Sequence, residues 1–125
     1  MGAVVSELSA GRKRTHWMWF VFPQMKGLGQ SAMSEFYGLS SLDEARAYLV
    51  HDVLGPRLVR CTELVLGARS LSLESIFGYP DHLKFQSSMT LFSEAAPEQA
   101  LFGEALVVFC AGVPDGETLR RLIKT

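Results

Sequence analysis

The residues whose types and spacing suit chemistry are concentrated in segment 12–24, where a basic triplet stands shortly before two tryptophans. Its candidate site residues are Lys13, Arg14, His16, Trp17, Trp19 and Gln24. Lysine and arginine hold phosphate or carboxylate groups, and an aromatic side chain stacks on a flat ring with about 1–3 kcal/mol per base. His16 is the candidate acid or base near neutral pH. The segment therefore predicts binding of a small anionic, nucleotide-like ligand.

A second cluster of polar side chains lies in segment 84–90, on a predicted helix. Lys84, Ser87 and Ser88 fall three and four residues apart, so one face of that helix presents an ammonium group beside two hydroxyls. This arrangement predicts contacts to the same ligand, which would lie between segments 12–24 and 84–90. The lysine–serine spacing also fits a Ser–Lys nucleophile, but nothing in the sequence indicates an oxyanion hole. Whether the protein is an enzyme stays open.

Both segments also have interpretations that involve no small ligand. The aromatic residues of 12–24 are of the kind that fills a core, and segment 84–90 can be a polar helix edge. A second functional hypothesis is a protein-interaction module, in which the basic and tryptophan patch at 12–19 forms a binding hot spot. Exposure of the tryptophans separates the two functions. Two indoles in one broad surface favour a protein partner, whereas indoles in a cleft with Lys84 favour a ligand.

Other kinds of site are not indicated by the sequence. The three histidines and two cysteines lack metal-ligand spacing, and the glycine turn at 27–29 lacks the lysine and hydroxyl of a phosphate-binding loop. We therefore predict neither a metal nor a cofactor. The net charge of −1 argues against nucleic-acid binding, which usually needs a basic protein. Cys61 and Cys110 sit in apolar helical patterns, and we expect free thiols.

The elements that carry these residues are predicted to be helices. The residues expected to begin helices are Ser31, Ser41, Asp52, Ser72, Asp81, Pro97 and Asp115. Ser41 and Glu44 form a capping box. The exception is 16–22, whose aromatic run is typical of a buried strand. We expect an all-α fold, an orthogonal array of about six to seven helices that forms a single domain over residues 1–125.

Size and hydropathy agree with a folded domain. The chain has 125 residues, 48% of them hydrophobic, and a chain of this size buries about two-thirds of its unfolded surface. No apolar run approaches the roughly 20 residues of a membrane-spanning helix, so no membrane association is predicted. The chain start lacks the basic region that precedes the apolar stretch of a signal peptide, and we expect a cytoplasmic protein. The oligomeric state is left open.

Long stretches of the sequence form specific motifs. They are GRKRTHWMWFVFPQ, GLGQS, the 42–58 stretch with EARAYL and VLGPRL, and IFGYPDHLKFQSSMTLF. On these motifs the sequence closely resembles the domain of unknown function 1810 family of bacterial and fungal proteins. The resemblance implies a mainly helical fold and assigns no activity. Some members carry a calpastatin label, but an inhibitor of that type is disordered, whereas this composition predicts a core. Members usually begin with a further helical stretch, so we expect a shorter N-terminal region here.

Overall fold

The computed structural model describes residues 2–28 and 32–124, and these ranges form helices joined by loops. The helices are α1 (Gly2–Ser9), α2 (Met18–Val21), α3 (Ala32–Tyr37), α4 (Leu42–Val50), α5 (Leu54–Gly67), α6 (Leu73–Phe77), α7 (Asp81–Ala95), α8 (Ala100–Cys110) and α9 (Gly116–Lys124). The predicted all-α fold is confirmed. The helices outnumber the expected six to seven partly because α2, α3 and α6 have only four, six and five residues. No helix in the described ranges is both long enough and apolar enough to cross a membrane.

Helix α7 is the central helix of the array. It packs against α4, α6, α8 and α9, and every residue from 87 to 92 is buried. Two of the three hydroxyls in this stretch bond to the helix backbone. Ser87 Oγ donates to the Leu83 carbonyl at 3.1 Å, and Thr90 Oγ1 donates to the Gln86 carbonyl at 2.8 Å. The 87–92 stretch is therefore part of the core rather than a polar helix edge.

Aromatic rings fix the neighbourhood of α2 against α6 and α7. The ring centroid of Phe22 lies 5.1 Å from that of Phe85 and 5.8 Å from that of Phe77, both edge to face. Trp17 makes a further edge contact with Phe77, at 6.4 Å. Such pairs add about 0.5–1.5 kcal/mol beyond the area that they bury. Because Trp17 and Phe22 flank α2 on either side, the rings hold both ends of this short helix.

The expected strand at 16–22 is wrong, since this segment contains the helix α2. Trp17, Met18, Val21 and Phe22 are buried, whereas the two residues between them, 19 and 20, are only half-buried. Burial at positions one, two, five and six follows a helical period, while a strand would bury alternate residues. The apolar run was too uniform to distinguish these two periods.

Three of the predicted helix caps are confirmed. Ser41 Oγ and Ser72 Oγ each accept a backbone N–H three residues further on, both at 3.1 Å. Asp115 does the same with its carboxylate at 3.0 Å. Each side chain satisfies an N–H that the first turn of a helix leaves without a backbone partner. Local sequence is sufficient for these helix starts because donor and acceptor are only three residues apart.

Other predicted helix starts are displaced. Asp52 does not cap α5: the Nδ1 atom of His51 accepts the two N–H groups at its start, at 3.1 and 3.2 Å. Pro97 does not open α8, which begins at Ala100. The proposed cap Ser31 lies outside the described residues. A histidine acceptor is a rare capping side chain, so the residue preferences that point to Asp52 could not identify it.

Helices α4 and α5 approach so closely that the start of α5 requires a glycine. A Cβ atom on Gly55 would lie 2.0 Å from the carbonyl oxygen of Leu49, whereas one on Gly103 of α8 would meet no atom within 4 Å. We predict that Gly55→Ala lowers the free energy of unfolding by about 3 kcal/mol, because the backbone must move. The control Gly103→Ala raises it by about 0.5–1 kcal/mol. Urea denaturation measures both values, and equal values for the two variants would contradict this packing.

Candidate functional site

The short helix α2 directs its two tryptophans to different environments. Trp17 precedes the helix and is 3% exposed, while Trp19 lies on its half-buried face. The indole N–H of Trp17 donates to Glu7 Oε1 at 3.0 Å, so its polar atom is satisfied inside the protein. Trp19 instead forms part of a cavity wall. Of the two predicted stacking residues, only Trp19 faces ligand-sized space.

The carboxylate of Glu7, on α1, holds the loop that carries the basic triplet. Its Oε1 atom accepts the backbone N–H groups of Arg14 and Thr15 at 2.6 and 3.0 Å, and Oε2 accepts the Thr15 hydroxyl at 2.7 Å. Desolvation alone would raise the pKa of Glu7, but these donors and the Trp17 indole lower it to about 2 from its ordinary 4.5. The Glu7 carboxylate therefore already accepts the hydrogen bonds that these groups of the loop would otherwise donate to a bound anion.

Lys13 and Lys84, predicted to belong to one site, do come together, on either side of Asp81. Lys13 Nζ lies 2.9 Å from Asp81 Oδ2, and Lys84 Nζ lies 3.3 Å from Oδ1. Burial alone would raise the pKa of the Asp81 carboxyl, but the two ammonium groups outweigh burial and hold it below its ordinary value. Asp81 is the first residue of α7 rather than its predicted cap. Two cations that share one carboxylate leave a single positive charge.

The space beside this cluster is very small. Gln24 and Lys84 line a depression with one edge of Trp19, and its volume is about 10 Å³. That volume is near the least that holds one water molecule. The segments 12–24 and 84–90 therefore meet, as predicted, but they enclose no ligand-sized space where Gln24 and Lys84 face each other.

The other predicted residues lie apart from this depression. Arg14 and His16 are exposed on the loop before α2. Ser87 is bonded to its own helix, and Ser88 is fully buried, with a hydroxyl that has no hydrogen-bond partner among the described residues. Within those residues, no group of three or more His, Cys, Asp or Glu side chains could hold a metal ion.

A larger cavity, here called the Trp19 cavity, also has Trp19 in its wall. Its volume is about 440 Å³, and it is lined by Trp19, Phe20, Pro23, Tyr37, Tyr48, Leu54 and Arg57. Helices α2 to α5 each contribute to the wall. Four of the seven lining residues are aromatic, and Arg57 alone among them carries a charge. Such a cavity suits a flat organic molecule with one polar end.

The polar end of the Trp19 cavity is built on the carbonyl of Phe20. A four-residue helix leaves its last carbonyls without partners in the helix, and Phe20 is next to last in α2. Arg57 Nη2 donates to this oxygen at 2.7 Å, and the Tyr48 hydroxyl donates to it at 3.0 Å. The Arg57 guanidinium carbon also lies 5.5 Å from the Phe20 ring centroid. Backbone and ring of one residue therefore fix the arginine.

Arg57 and Tyr48 each have a further property that affects ligand binding at the polar end of the Trp19 cavity. The Nε atom of Arg57 is buried and has no hydrogen-bond partner within residues 2–28 and 32–124. Burial raises the pKa of Tyr48, although Arg57 opposes that rise, so the phenol stays neutral at physiological pH. The cavity therefore has one positive charge, and the unpartnered Nε N–H of the same guanidinium is buried.

Comparison with known proteins agrees with this architecture. A family model described as a protein of unknown function (DUF1810) matches residues 1–122. The chain belongs to this family. It is similar to the crystal structure of the conserved hypothetical protein Rv1873 from Mycobacterium tuberculosis, with 53% identity and a TM-score of 0.96. The match covers 99% of this chain and 89% of that chain. No curated protein matches. The resemblance inferred from the motifs is confirmed.

Sequence reasoning did not single out the polar end of the cavity of this DUF1810 protein. The helical spacing of the sequence places Tyr48 on an apolar face of α4, with Leu42, Ala45 and Leu49, and places Arg57 between the apolar residues Leu54 and Leu58. One local signal existed, since Arg57 lies three residues after Leu54 and four before Cys61, where an apolar residue would continue the helical stripe. An arginine at a core position indicates a buried or half-buried charge that needs partners.

The Glu7 interaction predicts a pH-dependent stability. Because its folded pKa is depressed to about 2, its contribution is complete above about pH 4.5 and is lost as the pH falls toward 2. We predict that Glu7→Gln lowers the free energy of unfolding at neutral pH by about 1–2 kcal/mol, a value that allows for solvent screening. The difference from wild type should shrink below pH 4.5.

Urea denaturation between pH 7 and 3 provides this measurement. The control is Glu63→Gln, at an exposed glutamate of α5, which should change stability little at any of these pH values. A Glu7→Gln deficit that stays constant over the whole range would show that the carboxylate charge is not what holds the loop.

Proposed function

We propose that this protein binds a small anionic, nucleotide-like ligand, in the sense of a flat ring that bears an anionic group, in the Trp19 cavity. The observation that carries the proposal is the cavity itself: about 440 Å³ of open space with aromatic walls and one fixed arginine. Trp19 would stack on the ring, and Arg57 would face the anionic group. Arg57 takes the part that the sequence suggested for the lysines.

Size and wall chemistry both support this proposal. Small-molecule sites are usually of about 300–1,000 Å³ and are mostly apolar, with a few fixed polar groups. Stacking on an aromatic side chain stabilises a bound ring by about 1–3 kcal/mol. The arginine is held by Phe20 before any ligand arrives, so little side-chain entropy is lost when it binds an anion.

Only some of the predicted residues of segments 12–24 and 84–90 have a role in this proposal. Trp19 is the stacking residue, and Gln24 and Lys84 share with it only the wall of the small depression. Lys13 and Trp17 already have partners within the protein. Arg14, His16, Ser87 and Ser88 stay predictions without a place in the cavity wall.

A wider opening elsewhere supports the proposal less well. It has a volume of about 640 Å³ and lies between the loop at Arg12 and Lys13 and helix α6. Its wall combines apolar residues with the charged residues Arg12, Lys13 and Glu74, and Lys13 already pairs with Asp81. Phe77 is the one aromatic residue among those that line it, so it has no stacking wall of several rings.

The alternative of a protein-interaction patch at 12–19 depends on exposed tryptophans. Trp17 is buried and hydrogen-bonded to Glu7, so one indole of the expected pair is not at the surface. The other lines a cavity. By the criterion of tryptophan exposure, the arrangement favours a ligand over a protein partner.

A thermal-shift screen tests the proposal. The panel consists of nucleosides, nucleotides and aromatic acids, and we predict that at least one compound raises Tm by several degrees. A ligand at 100 times its Kd stabilises the folded state by about 2.7 kcal/mol. Trp19→Ala should abolish the shift because the stacking wall is lost. His16→Ala, on the exposed loop, should leave the shift unchanged.

Two results would contradict the proposal. One is a screen in which no compound stabilises the wild-type protein. The other is a stabilising compound whose effect is lost in His16→Ala and retained in Trp19→Ala, which would place binding on the loop rather than in the cavity.

A further inference from the structure

We infer that the ligand of the Trp19 cavity carries a single negative charge, as an aromatic carboxylate does, and that Arg57 binds that group. The inference rests on the proposed function and narrows it. The expected ligands are flat monoanions. Nucleoside di- and triphosphates also have a flat ring, but they carry too many negative charges for this site.

The first argument is the charge available at the site. Arg57 is the one charged residue among those that line the cavity. Another cation beside Trp19 is Lys84, which lines the small depression rather than the cavity and is paired with Asp81. Asp81 also takes up Lys13. A polyphosphate would bring several negative charges to a wall that offers one positive charge.

The second argument is the cost of desolvation. The remaining lining residues are aromatic or aliphatic, and their polar side-chain groups are two tyrosine hydroxyls and the Trp19 indole N–H. A charged group that enters such a cavity without a partner loses hydration free energy, and contacts with the wall restore only a small part of it. One anionic group can be matched by the guanidinium, whereas a second or third would stay unpaired. The cavity should therefore select against increasing ligand charge.

The third argument is the geometry of the arginine. Phe20 uses one donor of Nη2 through its carbonyl oxygen, and Nε has no partner. The guanidinium has five N–H donors; the Phe20 carbonyl takes one and the buried Nε lies out of reach of the cavity, so donors on the two Nη atoms remain for a ligand. Planar carboxylates match the donor fork of arginine with two parallel hydrogen bonds.

Tyr48 also contributes to the selection against highly charged ligands, and it does so as a neutral residue. Its hydroxyl donates to the Phe20 carbonyl at 3.0 Å, so it holds the same oxygen as Arg57 and keeps the backbone in place. Since that proton is already committed, the hydroxyl has no donor left for a second anionic group. The Phe20 carbonyl is itself an acceptor and would repel further phosphate oxygens.

Isothermal titration calorimetry with matched probes tests this inference. The probes are a naphthoate, the naphthamide with the same ring, and the series AMP, ADP and ATP. We expect the wild-type protein to bind the naphthoate at least about tenfold more tightly than the amide. Affinity should also fall from AMP to ATP. The two naphthalene probes differ in charge at one group, so their ratio isolates the contribution of the anion.

Two variants of Arg57 test whether this residue accounts for the preference for the anionic probe. Arg57→Met keeps an unbranched side chain of similar reach without the charge, and it should bring the naphthoate to naphthamide affinity ratio to about one. Residual amide binding then shows that the variant is folded and its cavity open. Arg57→Lys keeps the charge but not the donor fork, and it should retain only part of the preference.

The outcomes separate the two proposals. If both naphthalene probes bind equally to the wild-type protein, or if ATP binds more tightly than AMP, the inference is wrong while ligand binding in the cavity stands. If the carboxylate preference survives in Arg57→Met, another residue binds the anion and the inference is also wrong. If none of the probes binds, ligand binding and the charge selection both fail.

Discussion

The structure around the candidate site depends on one ionised carboxylate, that of Glu7. A charged acceptor with two backbone N–H donors, a hydroxyl and an indole fixes the path of residues 14–17 against α1. This path brings Trp17 into the core, and α2 begins at the next residue. Once Trp17 is buried, the helical period leaves Trp19 and Phe20 half-buried on another face. The orientation of the cavity wall therefore follows from an interaction on the far side of the same loop.

The short length of α2 also determines which side chains lie at the polar end of the cavity. A helix of four residues cannot satisfy its own last carbonyls, and the oxygen of Phe20 is satisfied by side chains from α4 and α5. Those side chains, Tyr48 and Arg57, are thereby held at one end of the cavity. The positive charge of Arg57 also suits the negative end of a helix. A backbone requirement and a ligand-binding requirement are met by the same two residues.

Local interactions could be predicted from the sequence, whereas most pairings between distant residues could not. The Ser41, Ser72 and Asp115 caps link atoms three residues apart, and the family motifs indicated a helical fold. Segments 12–24 and 84–90 were expected to meet, and Lys13 and Lys84 do so. The three-residue spacing allows the ion pair of Asp81 with Lys84, but the sequence did not indicate that Lys13 would share the same carboxylate. Nor did it indicate that Arg57 would reach Phe20, 37 residues away, because such pairs depend on how the helices pack.

The central claim is that the two tryptophans have different roles, Trp17 in the core with Glu7 and Trp19 at the ligand. Their two indole N–H signals, assigned with Trp19→Phe, can be followed by ¹H–¹⁵N NMR spectroscopy while a naphthoate is added. We predict that the Trp19 signal moves progressively to saturation and that the Trp17 signal stays in place. A Trp17 signal that moves while that of Trp19 stays fixed, or two signals that never move, would contradict this account.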